Sequence, residues 1–145
     1  MRPSPPRSAL LLGWAGVLPF GALSLATAAG LRLPMEPEVA LRAYAAAILS
    51  FMGGAQWGVA MRAPAPFGRA PTGYAVSVGP ALLAAGSLLV PWRAGLVGLA
   101  AGFAGLLAYD LWTVRRGFAP DWYAPLRIRL TAAVLVLLLV AAALG

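Results

Sequence analysis

Asp110 is the one acid set inside a long apolar run; the other three, Glu36, Glu38 and Asp121, lie in polar, proline-containing stretches. A carboxylate in hydrocarbon is costly, so it must find a partner or hold a proton. Arg127 and Arg129, at the start of the next apolar run, are the nearest cations that could answer it. Two chemistries follow. One is a structural Asp–Arg pair that locks two helices; the other is an acid that binds a ligand or handles protons. General acid–base catalysis on an Arg-bound anion is a third option, supported by nothing beyond that pairing. Gln56, inside another apolar run, is either glue between helices or the polar floor of a pocket. Trp14 and Trp57 are either core packing or the lining of a cavity.

Other chemistries are excluded by composition. Without Cys or His the chain builds no Cys/His zinc site, thiolate nucleophile, His-ligated haem or Ser-His-Asp triad. Without Lys it forms no Schiff base to retinal or pyridoxal phosphate. Four acids are too sparse for a two-metal carboxylate site, and no glycine-rich phosphate loop follows a strand pattern. The expectation is therefore a protein that is not an enzyme, with no cofactor and no metal. All eleven basic residues are Arg, which together with abundant Ala reads as the codon bias of a GC-rich genome. Single or paired between apolar runs, they form no continuous basic face for nucleic acid, so anionic lipid headgroups are the expected counter-charge.

What must position these residues is a set of membrane helices. The mean hydropathy of +0.84 and the 10% of charged residues place the chain outside the soluble globular range. A bilayer core needs about 20 apolar residues per helix. Five segments of a single membrane domain, residues 1–145, meet or approach that: about 9–30, 39–61, 73–90, 94–114 and 126–144. Helices are dictated because every backbone N–H and C=O must be satisfied inside lipid. The proline-rich stretches Leu33 to Pro37, Ala63 to Pro71 and Ala119 to Pro125 are the breaks. Val90-Pro91-Trp92-Arg93 leaves room only for a tight turn, so the third and fourth helices should form an antiparallel hairpin. Pro19 and Pro80 should bend the first and third. The first segment also resembles a signal peptide, with Arg2 and Arg7 ahead of it and Ala26-Thr27-Ala28 as a cleavage site, but its apolar run is longer than that class carries.

Orientation comes from the arginines. Arg2, Arg7, Arg62, Arg69, Arg115, Arg116, Arg127 and Arg129 fall on one side of five crossings, against Arg32, Arg42 and Arg93 on the other. Positive charge marks the cytoplasmic loops, so the expected architecture is an all-α five-helix bundle with its N-terminus in the cytoplasm and its C-terminus outside. That orientation brings Trp14, Tyr74, Ser77, Arg127, Arg129 and Thr131, early in odd-numbered helices, to the depth of Gln56, Trp57, Tyr109, Asp110 and Trp112, late in even-numbered ones. These residues define a candidate polar layer or ligand pocket within about 10 Å of the cytoplasmic boundary, at about 1.5 Å per residue. Trp92, Trp112, Trp122 and Tyr123 fit interfacial anchoring.

Glycines set the packing. Gly95, Gly98, Gly102 and Gly105 form one stripe on the fourth helix, and Gly54 and Gly58, beside Gly53, make a GxxxG on the second. Such stripes let helix backbones approach closely, within one chain or between two copies.

The run Tyr44-Ala45-Ala46-Ala47-Ile48-Leu49-Ser50-Phe51-Met52-Gly53-Gly54-Ala55-Gln56-Trp57-Gly58 resembles the hallmark of the domain-of-unknown-function 3429 family of transmembrane protein 69-like integral membrane proteins. Gly13-Trp14-Ala15-Gly16-Val17-Leu18-Pro19-Phe20 is similar too, as are Tyr109-Asp110-Leu111, Pro120-Asp121-Trp122-Tyr123 and Leu126-Arg127-Ile128-Arg129-Leu130-Thr131. The likeness covers nearly the whole chain in order. It departs at Gln56, where many members carry His, and an amide hydrogen-bonds without titrating. The resemblance implies a multi-pass protein of a bacterial inner membrane or its mitochondrial descendant, and it implies no reaction.

Two functions remain. One is a non-catalytic accessory, assembly or structural membrane protein, with a complex partner or a second copy. The other is a binding or transport protein for a small amphipathic molecule, its pocket near the cytoplasmic leaflet between Trp14, Gln56, Trp57 and Asp110.

Overall fold

The computed structural model describes residues 4–66 and 71–145. Arg2 and Arg69, used above for orientation, and part of the Ala63 to Pro71 break lie outside the described residues. Among the described residues five helices follow in order: α1 (Arg7–Ala28), α2 (Pro37–Arg62), α3 (Pro71–Leu88), α4 (Trp92–Arg115) and α5 (Tyr123–Leu144). No strand occurs among the described residues.

Local chemistry sets the ends of these helices. Pro37 opens α2 and Pro71 opens α3, where a missing N–H is no loss because the first turn has no acceptor for it. Helix α5 begins at Tyr123 rather than near residue 126, with Pro125 accommodated in its first turn for the same reason. Helices α1 and α4 both stop at a glycine with positive φ, Gly30 at 62° and Gly117 at 73°. In each case the next N–H reaches back five residues, Leu31 to the Ala26 carbonyl and Phe118 to the Thr113 carbonyl, closing a Schellman turn that a side chain would strain. Three residues, 89–91, separate α3 from α4. Pro19 and Pro80 lie inside helices that continue through them.

The helices close into a ring: α1 packs on α2 and α5, α3 on α2 and α4, and α4 on α5, while α2 also touches α4 across the middle. Phe20, Leu41, Leu49, Leu96, Leu99, Phe103 and Leu138 fill the centre and are almost wholly buried. The outside is apolar as well. Leu11, Leu12, Leu18, Phe51, Leu82, Leu89, Val97 and Leu139 are each more than 60% exposed. Helices that are apolar all round need an apolar solvent, and α1, α4 and α5 are long and apolar enough to cross a membrane.

Only part of the glycine set is used within the chain. A Cβ on Gly53 would stand 2.9 Å from Pro80 Cβ, so that glycine lets α2 and α3 touch. Gly95 sits on the Ser87 carbonyl, Gly98 on the Ser87 hydroxyl and Gly102 on Leu49 and Leu83, joining α4 to α3 and α2. Among the described residues a Cβ on Gly54, Gly58 or Gly105 would meet nothing within 4 Å; Gly54 and Gly105 are exposed, and Gly58 is half-buried beside a cleft towards Gly117 and Phe118. Gly54 follows Gly53 by about 100° of helix rotation, which turns it outward.

A candidate buried polar site between three helices

Asp110 is 1% exposed, and both its carboxylate oxygens are engaged. Arg127 on α5 donates from Nε to Oδ2 at 2.5 Å, and Gln56 on α2 donates from Nε2 to Oδ1. The acid on α4 therefore ties α2 and α5 to its own helix. The three side chains come together because each sits on the inward stripe of its helix. On α5 that stripe is Arg127, Thr131, Val134, Leu138 and Ala141, spaced at three and four residues. Thr113, one turn after Asp110, is wholly buried and donates to the Asp110 main-chain carbonyl at 2.7 Å.

Arg127 has more donors than Asp110 can use. Its Nη1 lies 2.8 Å from Met52 Sδ on α2, a weak acceptor, and its guanidinium carbon is 6.0 Å from the centre of the Tyr123 ring. Arg127 Nη2 is buried without a hydrogen-bond partner among the described residues, and so are Thr131 Oγ1 and Gln56 Oε1. Arg127 and Thr131 border a cavity of about 200 Å³ whose other walls are apolar, among them Phe20, Phe103, Ile48 and Val134.

The rest of the expected layer lies elsewhere. Trp14 is 42% and Trp57 45% exposed, and neither lines the cavity. Trp57 follows Gln56 by about 100° of rotation, so burying one turns the other outward; Trp57 packs edge-on against Tyr74 with ring centres 4.9 Å apart. Arg129 is exposed, two positions and about 200° round α5 from Arg127, so it does not share the acid. Tyr109 is half-buried and stacks on Trp112. Ser77 is buried, but its hydroxyl goes back to the Tyr74 carbonyl of its own helix. The pocket expected between Trp14, Gln56, Trp57 and Asp110 is thus displaced. The amide and the acid bind each other, and the open space lies on the far side of Arg127, against α1.

Two polar contacts had no signal in the sequence. Arg42 on α2 donates from Nη2 to the Ser87 and Val90 carbonyls, the latter at 2.9 Å, and so covers the open C-terminal end of α3. The Tyr44 hydroxyl donates to the Gly16 carbonyl at 2.9 Å, holding α2 to α1 beside the Phe20 ring. Both acceptors are main-chain carbonyls, and composition gives no hint of which carbonyls are free. Glu38, one turn before Arg42 on α2, is the partner that the sequence spacing offers, and the structure gives Arg42 main-chain carbonyls instead.

Comparison with known proteins gives the family. The family pattern described as "Protein of unknown function (DUF3429)" matches residues 5–143. Transmembrane protein 69 of Xenopus tropicalis is 39% identical over 131 residues, covering 87% of this chain and 50% of that protein. The chain spans half the length of that relative. No solved structure matches. With nearly its whole length inside the pattern, the chain belongs to the DUF3429 family of transmembrane protein 69-like proteins.

Proposed function

We propose that this is a non-catalytic, multi-pass protein of a bacterial inner membrane, an accessory or assembly component held together by a buried polar latch. The observation that carries the reading is that Asp110 is occupied at both oxygens by Arg127 and Gln56. An acid that is 1% exposed and held by a donor on each oxygen has no open side for a substrate, which disfavours a role as general base. It is a good clamp, since an ion pair buried where water is scarce holds both of its helices in one register.

The membrane reading is five crossings with the N-terminus in the cytoplasm. Helix α3, at 18 residues, reaches about 27 Å at about 1.5 Å per residue, close to the thickness of a hydrocarbon core. It turns directly into α4 through three residues, so the two cross as a hairpin. Arg127 is spent on Asp110 and is no longer a loop charge, which leaves seven arginines on the expected cytoplasmic side against three. Gly54, exposed, with half-buried Gly58 one turn on, offers a protein partner or a second copy a surface for close helix approach.

The chain lacks cysteine, so single substitutions report topology cleanly. Ser4→Cys and Gly145→Cys, treated in spheroplasts with a membrane-impermeant maleimide, should label only after lysis and before lysis, respectively. Labelling of both on one side would show an even number of crossings and sink the five-span reading. Asp110→Asn should lower thermal stability in detergent; an unchanged midpoint would remove the latch.

A further inference from the structure

We propose that the cavity between α1, α2 and α5 holds the carbonyl-bearing head of a neutral membrane lipid, with Arg127 Nη2 and Thr131 Oγ1 as its hydrogen-bond donors. The inference rests on the membrane reading above. It starts from two buried donors that nothing among the described residues satisfies. Arg127 is 3% and Thr131 1% exposed, both border the cavity, and neither Nη2 nor Oγ1 has a partner among the described residues. A buried donor left unmade carries a penalty of about 1–3 kcal/mol, more where it is charged. In hydrocarbon there is no bulk water to relieve it. A trapped water would find only these two donors, the low end of the about 2–4 polar partners it needs, because the remaining walls are largely apolar.

Charge selects the kind of acceptor. Arg127 is already neutralised by Asp110, 2.5 Å from its Nε. A second anion would face that carboxylate without a fresh positive charge to offset it. A carbonyl oxygen accepts from both donors and brings no charge.

Shape selects where the rest of the ligand goes. About 200 Å³ holds on the order of seven water-sized groups at about 30 Å³ each, enough for a ring or an ester with its first carbons, but not a whole lipid. The remainder must leave through the rim. Leu12 on α1 and Phe51 on α2 line that rim and are 73% and 74% exposed, so the opening faces the outer, lipid-side surface of the bundle. The inner wall includes Phe20 and Phe103, whose rings meet edge to face at 5.9 Å and make that end of the cavity apolar. Gly16 keeps the space open: among the described residues a Cβ there would approach only the Tyr44 hydroxyl, at 4.0 Å.

Ring ketones of prenyl quinones and ester carbonyls of neutral glycerolipids share this chemistry. The full chain in maltoside detergent would be titrated with a short-chain alkyl 1,4-benzoquinone, with dioctanoylglycerol, and with n-dodecane as a carbonyl-free control. Binding would be read by thermal shift and native mass spectrometry. The expected result is that at least one carbonyl probe raises the midpoint and remains bound while dodecane does neither; which probe does so assigns ring or ester. Thr131→Val, nearly isosteric, should weaken that binding about tenfold, the loss of one hydrogen bond. Gly16→Leu should abolish it by filling the space. Binding by neither probe, equal binding of dodecane, or Thr131→Val binding as tightly as wild type would each overturn the proposal. Cysteine labelling is scored separately, so a chain that keeps its topology and binds nothing overturns this inference alone.

Discussion

Arg127 Nε lies 2.5 Å from Asp110 Oδ2, in a contact where the two side chains are 3% and 1% exposed. Such a pair is asymmetric in its energetics. Forming it recovers about what desolvating both charges costs, but removing either partner strands the other in a medium that cannot solvate it.

Single and double replacements should therefore diverge. Asp110→Leu leaves the Arg127 charge buried and is expected to cost about 3–5 kcal/mol. Adding Arg127→Met replaces the pair with apolar groups of similar length and should restore part of that loss, the Gln56 amide still lacking its acceptor. Thermal unfolding of the three proteins in one detergent is the check. A double variant no better than Asp110→Leu would show that the pair is not what holds α4 to α5.

The two arginines at the start of α5 should behave unlike each other. Arg129→Gln, on the exposed face, is expected to move stability by no more than about 0.5 kcal/mol. Arg127→Gln removes the buried cation and should cost about 3 kcal/mol or more. Equal effects would mean that the rotation of α5 is wrong.

That rotation is also where the sequence stopped being informative. Helix positions could be read because proline clusters and apolar length mark spans directly; the main difference, the start of α5, arose because Pro125 is tolerated in a first turn. Depth could be read too, since charge bias and residue rise place Gln56, Asp110 and Arg127 together. Rotation could not, because a helix that is apolar all round has no polar face to show which side is buried. Arg127 and Arg129 were equivalent for that reason, and Trp14 and Trp57 were drawn into a pocket they do not line. The cavity beside Arg127 was illegible on the same account, since it depends on which side of α1 faces α5.

Two neighbouring glycines give a test of sign. Gly53→Ala places a methyl 2.9 Å from Pro80 Cβ and 3.0 Å from the Ser77 carbonyl, and this overpacking should cost about 1–3 kcal/mol. Gly54→Ala meets nothing within 4 Å among the described residues and should stabilise the helix by up to about 1 kcal/mol. Opposite shifts in thermal midpoint are expected. A loss of stability at both positions in a monomeric preparation would contradict the open face at Gly54.

Arg42 supplies the last prediction. Its guanidinium covers the Ser87 and Val90 carbonyls at the end of α3, and it lies there because Gly95 has no side chain: a Cβ on Gly95 would come within 2.9 Å of Arg42 Nη2. Arg42→Met strips a charged donor from two carbonyls and should cost about 1.5–3 kcal/mol. Gly95→Ala should reach part of the same loss by pushing the guanidinium aside, and its methyl also crowds the Ser87 carbonyl directly. Because both changes act on one contact, the double variant should fall short of the sum of the singles by at least about 0.5 kcal/mol. Strict additivity across that cycle would show that Gly95 serves only the packing of α4 on α3, and that Arg42 holds the turn without its help.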